Sequence, residues 1–180
     1  MSVEEYYLAF ESILYGLIVS RILVKWSELS NEKRASIYWA YVLLTVNLFL
    51  LIITVFWANK LPDHYEGVNS PLMFLFIVVI PPSIFTFMTY QMFPRHFVNT
   101  NLKEYLIIHR NRIFIPWAIY LTLQLLLLSE LVLNPITLVS FVLLISTGFI
   151  IRSGKLMWIK IFLIVHTFLM LFVYLRFYIT

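Results

Sequence analysis

Six polar or helix-breaking residues lie inside stretches of the chain that are otherwise apolar, and these are the first candidates for chemistry. Inside hydrocarbon each of them must find a partner away from water, so such positions often mark ligand or ion pathways. We predict that they line a ligand site or a pore; all except Glu11 lie near the middle of four helices, at a similar depth. The residues are Glu11, Asn47, Pro81, Pro82, Gln124 and His166.

Two of these features have a second, purely structural interpretation. Glu11 could lie near enough to a helix end to reach water among the lipid headgroups. Pro81 and Pro82 remove two backbone donors, and the carbonyls left over could face a permeant, as in many transporters. Alternatively, Ser83 or a neighbouring helix satisfies them and the prolines make only a static kink.

His166 could carry a proton, ligate a haem, or be a neutral imidazole hydrogen-bonded to Asn47 or Gln124. The last interpretation is favoured. A haem held by two histidines needs a second one within the membrane, and the other histidines fall in or beside predicted loops: His64, His96 and His109. We therefore predict no cofactor.

Enzymatic chemistry has little support in the sequence. There is no cysteine, no His-Glu-x-x-His metal motif, no Gly-x-Ser-x-Gly elbow and no glycine-rich phosphate loop. Glu11 and Glu130 are both predicted towards the outer leaflet, where paired carboxylates could bind a cation or share a proton. No catalytic residue and no metal ligand is assigned.

The composition places the chain in a membrane. Of its 180 residues, 62% are hydrophobic and 12% are charged, against about 25% charged in soluble domains. We predict an integral membrane protein with one transmembrane domain over residues 1–180, in contact with the lipid bilayer. The net charge of +4 does not indicate nucleic acid, because the basic residues cluster at predicted membrane edges.

Six hydrophobic stretches approach the ~20 residues that a spanning helix needs, and they predict an all-α bundle of six transmembrane helices. Asn134 and Pro135 are typical of a helix start, so the fourth and fifth helices should be antiparallel neighbours. The alternative is five spans plus an interfacial N-terminal helix. The stretches are Tyr6 to Val24, Ile37 to Trp57, Leu72 to Phe93, Ile113 to Leu133, Ile136 to Ile151 and Leu156 to Ile179.

The first stretch has two faces that suit lipid poorly. Helical periodicity places Glu11 on one face, with Gly16 and Ser20 roughly opposite, where a small-residue groove would let another backbone approach. We therefore predict that other helices surround this one. The face with the carboxylate consists of Glu11, Tyr15, Ile18 and Ile22.

Lysine and arginine orient the bundle, since positive residues in short loops stay on the cytoplasmic side. They follow the first, third and fifth stretches, which predicts that both termini lie outside. The cytoplasmic cations are Arg21, Lys25, Lys33, Arg34, Arg95, Lys103, Arg110, Arg112, Arg152, Lys155 and Lys160.

The connector 94–112 carries its own helical pattern. Asn101 followed by Glu104 resembles a capping box, which predicts a short amphipathic helix on the cytoplasmic surface, with a kink at Pro116 before the fourth span. Its cations are candidates for contact with the membrane surface or a partner protein: Lys103, Arg110 and Arg112. The tryptophans, Trp117 among them, sit at predicted helix ends and are expected to anchor the helices in the interface.

Four segments resemble a group of small multipass bacterial membrane proteins of unknown function: AFESILYGLIVSRIL, IYWAYVLLTVNLFLLIITVFW, the third helix ending in QMFPR, and LKEYLIIHRNRIF. The resemblance implies a six-helix bundle in the bacterial cytoplasmic (inner) membrane. It implies no catalytic or binding residue.

The pattern leaves three functional hypotheses. The first is a non-enzymatic bundle that moves or gates a small solute or ion as a homo-oligomer, because six short-looped helices enclose little volume alone. The second is a membrane module that binds a cytoplasmic protein or lipid through the basic connector, including a bacterial defence effector. The third is a redox or lipid-modifying enzyme around His166.

Overall fold

The structure is a computed structural model that describes residues 3–33, 35–58, 74–127 and 135–179. The described part contains six helices, which confirms the all-α prediction. They are α1, Val3–Asn31; α2, Trp39–Ala58; α3, which opens with a π-helical turn, Leu75–Val79, and continues as Ile80–Met92; α4, Leu102–Leu127; α5, Pro135–Ser153; and α6, Leu156–Ile179. Glu130 and His64 lie outside the described residues.

Three of these helices are long and apolar enough to cross a membrane. The qualifying segments are Glu5–Asn31, Trp39–Phe56 and Leu75–Met92, and they support integration into a membrane. The apolar segments described in α5 and α6 are shorter, Ser140–Ser153 and Leu156–Phe172. The count of six spans remains a prediction.

The helices pack as a closed ring in the order α1, α2, α6, α5, α4, α3, and α2 also touches α4 across the centre. The predicted contact between the fourth and fifth helices is present. The described part of α5 begins at Pro135, and Asn134 lies outside the described residues. Large aromatic side chains fill the middle of the ring, including Tyr41, Phe85, Phe114 and Phe162.

One face of α1 packs into the ring as predicted. Tyr15, Ile18 and Ile22 are buried together with Glu11. The small-residue face is different: Gly16 is exposed, and within the described part nothing lies within 4 Å of a Cβ added there. Among the described residues, no helix makes the expected close approach at Gly16, and Ser20 is exposed.

Trp117 is not an interfacial anchor. Its side chain is fully buried and packs at 5.3 Å between ring centroids against Phe162, nearly perpendicular to it. The prediction was wrong because α4 extends a full 26 residues, which moves Trp117 from a helix end to its interior.

The predicted surface helix and the fourth span form one continuous helix. The side chain of Asn101 caps its start, accepting hydrogen bonds from the backbone N–H groups of Lys103 at 3.2 Å and Glu104 at 3.3 Å. Pro116 lies inside the helix, where its ring is buried. Residues 102–112 of the basic connector therefore form the first turns of α4.

Three basic segments meet at one end of the ring. Ser36, between α1 and α2, pairs with the loop before α4: its N–H donates to the carbonyl of Thr100 at 3.1 Å and its carbonyl accepts from the N–H of Leu102 at 3.3 Å. Gly154, between α5 and α6, has a φ of +63° and lies directly against the Arg110 guanidinium. These contacts bring the three connectors together at one end of the described helices.

Candidate functional site

Two regions of the structure hold polar residues that could carry a function. The first is a buried cluster between α2 and α6. The Nδ1 of His166 lies 3.2 Å from Oδ1 of Asn47, and the Nδ2 of Asn47 donates to Oγ1 of Thr167 at 2.9 Å. Because an amide oxygen only accepts, Nδ1 of His166 carries the hydrogen in this arrangement. The predicted bond between His166 and Asn47 is present.

Aromatic side chains enclose this buried cluster. The His166 ring is perpendicular to Trp117 at 5.2 Å and stacked on Phe162 at 5.6 Å. The hydroxyl of Thr167 donates to the carbonyl of Leu163 at 2.7 Å, which completes a chain of bonds. Thr167 was not predicted, since a threonine in a helix usually bonds only its own backbone. Gln124 is half-buried.

Neither His96 nor His109 approaches His166, because both line a cleft at the basic end of the ring. Among the described residues, therefore, two histidines do not face each other in the way that a bis-histidine haem requires. The arrangement of Asn47, His166 and Thr167 matches a polar bond network that holds two helices together.

Glu11, Pro81 and Pro82 are all buried. Glu11 is therefore out of contact with water. This excludes the interpretation in which its carboxylate reaches water among the lipid headgroups. Ahead of the prolines, the π-helical turn lets the Ile80 N–H bond the carbonyl of Leu75, and the hydroxyl of Ser83 donates to the carbonyl of Val79 at 2.7 Å. The carbonyls that the prolines leave without an intrahelical donor are those of Ile77 and Val78, four residues before each proline, so both interpretations of the prolines stay open.

The second region is a cleft of about 1010 Å³ at the basic end, which we call the basic cleft. It is bounded by α1, the end of α3, the loop after it and the first turns of α4. Four arginine and lysine side chains line it with a single carboxylate, Glu28: Arg21, Lys25, Arg95 and Arg112. This excess of positive charge favours an anionic ligand over a cationic one.

Two tyrosines fix the wall of the basic cleft. The hydroxyl of Tyr41 donates to the carbonyl of Met92, and that of Tyr105 donates to the carbonyl of Gln91, each at 3.0 Å. These carbonyls are at the end of α3, where no intrahelical donor follows. The loop that carries Arg95 therefore starts from a fixed point, and buried Phe97 holds it further on.

The cations from α1 are also held in place. The Arg21 guanidinium lies 3.5 Å from the centre of the Tyr90 ring, in a cation–π contact. Lys25 pairs with Glu28 and donates to the carbonyl of Arg95 at 3.3 Å. These contacts order the side chains before any ligand arrives.

The structure separates the three cations proposed for surface contact. Arg112 lines the basic cleft and Lys103 is exposed outside it. Arg110 turns the other way, bonding the carbonyl of Ile107 at 3.0 Å and lying against Gly154. On the last helix, Lys160 sits 5.6 Å from the centre of the Trp39 ring, away from the cleft.

The basic cleft as such was not predicted from the sequence. Its arginines and lysine were interpreted as topology signals, which they also are. One local signal was available: Arg21, Lys25 and Glu28 fall on one helical face by their spacing of four and three residues.

Comparison with known proteins adds no family or function: no family model, curated protein or solved structure matches the chain. The resemblance to small multipass bacterial proteins therefore rests on the hydrophobic segments alone.

Proposed function

We propose that this protein is a six-span membrane module that binds a phosphate-bearing anion at its cytoplasmic end, in the basic cleft. Both termini lie outside in this arrangement, so that the three basic connectors face the cytoplasm. One observation carries the proposal: four cations from three separate segments of the chain line one cleft with a single carboxylate.

The types of cation suit phosphate. Arginine presents its N–H groups in a planar fork that matches two phosphate oxygens, and such charge-assisted bonds are roughly twice as strong as neutral ones. Arg95 and Arg112 lie near the two ends of the connector 94–112. Neither forms an ion pair within the described part of the chain. Their charge is therefore available to a ligand.

The test is calorimetric titration of the protein, purified in an uncharged detergent, with pyrophosphate as the probe. We expect saturable binding that weakens as salt is added, because screening reduces attraction between partly exposed charges. Arg112→Gln should weaken binding about tenfold, the loss expected when one charged hydrogen-bond partner worth ~1.5 kcal/mol is removed.

Lys103→Gln is the matched control, since Lys103 lies on the same helix but outside the cleft. It should leave the affinity within about twofold, as a distant screened charge does. Absence of pyrophosphate binding, or equal losses in the two variants, would contradict the proposal.

Movement of a small solute or ion by a homo-oligomer is the second candidate. It is favoured by the burial of Glu11 and by the π-helical turn of α3, a feature often found at functional sites. Purified protein in liposomes should then dissipate an imposed proton or ion gradient, at a rate that Glu11→Gln changes. Liposomes that stay tight across a panel of ions would remove this candidate.

A further inference from the structure

We infer that the occupant of the basic cleft is an anionic phospholipid that enters sideways from the bilayer, with its phosphate beside Arg21 and its acyl chain along Leu17. This inference rests on the proposed function and narrows its ligand class. A free phosphate compound shares the headgroup chemistry but lacks the chain.

The lining of the cleft is continuous with an apolar surface on α1. Leu17 and Val24 both line the cleft, yet they are 65% and 54% exposed. Both lie on a helix that is apolar enough to cross a membrane, so their exposed sides suit hydrocarbon. Leu17 is one helical turn from Arg21, which puts an apolar and a cationic surface within the reach of one amphiphile.

The length of α1 sets the depth of the cleft. Its apolar segment Glu5–Asn31 has 27 residues, which at 1.5 Å per residue is about 40 Å, against about 30 Å for the hydrocarbon core. The excess of about 10 Å corresponds to about seven residues, so the end of α1 from about Lys25 onwards lies at the level of the headgroups, and the long side chain of Arg21, one turn earlier, can reach that level. Phospholipid phosphates lie at this level.

Arg21 carries a donor that a phosphate would satisfy. Its guanidinium stacks on Tyr90, and its Nε is buried without an acceptor among the residues that the structure describes. A buried donor without an acceptor is costly, and a phosphate oxygen is a strong acceptor. The exposed hydroxyl of Ser20 lines the same opening.

The test compares a short-chain phosphatidylglycerol with glycerophosphoglycerol, the same headgroup without acyl chains. Each is titrated into delipidated protein in uncharged detergent and followed by native mass spectrometry. We expect one lipid per chain, bound at least about tenfold more tightly than the deacylated headgroup, since each buried methylene adds affinity. Arg21→Gln should weaken lipid binding by about tenfold.

Leu17→Trp is designed to fill the lateral opening, and Ile13→Trp, one turn earlier and also exposed, is its matched control. Leu17→Trp should lose lipid binding, whereas Ile13→Trp should keep both lipid and pyrophosphate binding, and the thermal unfolding of the two variants checks that each is folded. Equal affinity for lipid and deacylated headgroup, or unchanged lipid binding in Leu17→Trp, would overturn the lipid inference and leave the anion site standing. Failure of both lipid and pyrophosphate to bind would overturn the proposed function as well.

Discussion

Asn47→Leu is expected to destabilise the bundle more than His166→Leu does. Asn47 bonds both His166 and Thr167, so its loss leaves polar atoms on two buried or half-buried side chains without that partner. An unsatisfied buried group costs about 1–3 kcal/mol, although interhelical bonds in membranes average nearer 0.6 kcal/mol. Unfolding of purified protein in mixed micelles by increasing SDS measures the difference.

The same two positions form a double-mutant cycle. His166→Leu should cost more when Asn47 is present than when Asn47 is already leucine, with a coupling of about 1 kcal/mol. Gln124 provides the control, because the sequence offered it as the alternative partner of His166 and it is only half-buried. The effects of Gln124→Leu and His166→Leu on the free energy of unfolding should add, without coupling. Additive effects of Asn47→Leu and His166→Leu would show that the bond between them contributes nothing.

The helices and the buried face of α1 could be predicted from the sequence, because both follow from local patterns. A run of apolar residues marks a helix wherever the rest of the chain lies, and the 3.6-residue period places Tyr15, Ile18 and Ile22 on one side. The Asn101 cap is likewise local, since a side chain bonding N–H groups two and three residues on needs no tertiary contact.

Features that depend on which helices meet could not be predicted in the same way. The pairing of Asn47 with His166 was one of two open alternatives, and the packing of α2 against α6 decides it. Trp117 was placed at a helix end because its stretch was taken to begin at Ile113, whereas the helix starts at Leu102. The basic cleft is built from three segments, and no single stretch shows it.

The largest change in the labelling of an introduced thiol is expected at the rim of the basic cleft. Because the chain has no cysteine, His96→Cys introduces one thiol into the cleft lining, and Val98→Cys introduces one on the same exposed loop outside it. An impermeant maleimide should reach both thiols from the cytoplasmic side of the membrane and neither from the outside, as the charge distribution requires.

The most direct test of an anion site at the cytoplasmic end is the rate of that labelling with and without pyrophosphate, measured on delipidated protein in uncharged detergent, where no membrane lipid competes for the cleft. At a pyrophosphate concentration about ten times its dissociation constant, occupancy should slow the modification of His96→Cys about tenfold and leave Val98→Cys unchanged. An unchanged rate at His96→Cys, or labelling of both thiols from the outside only, would contradict it.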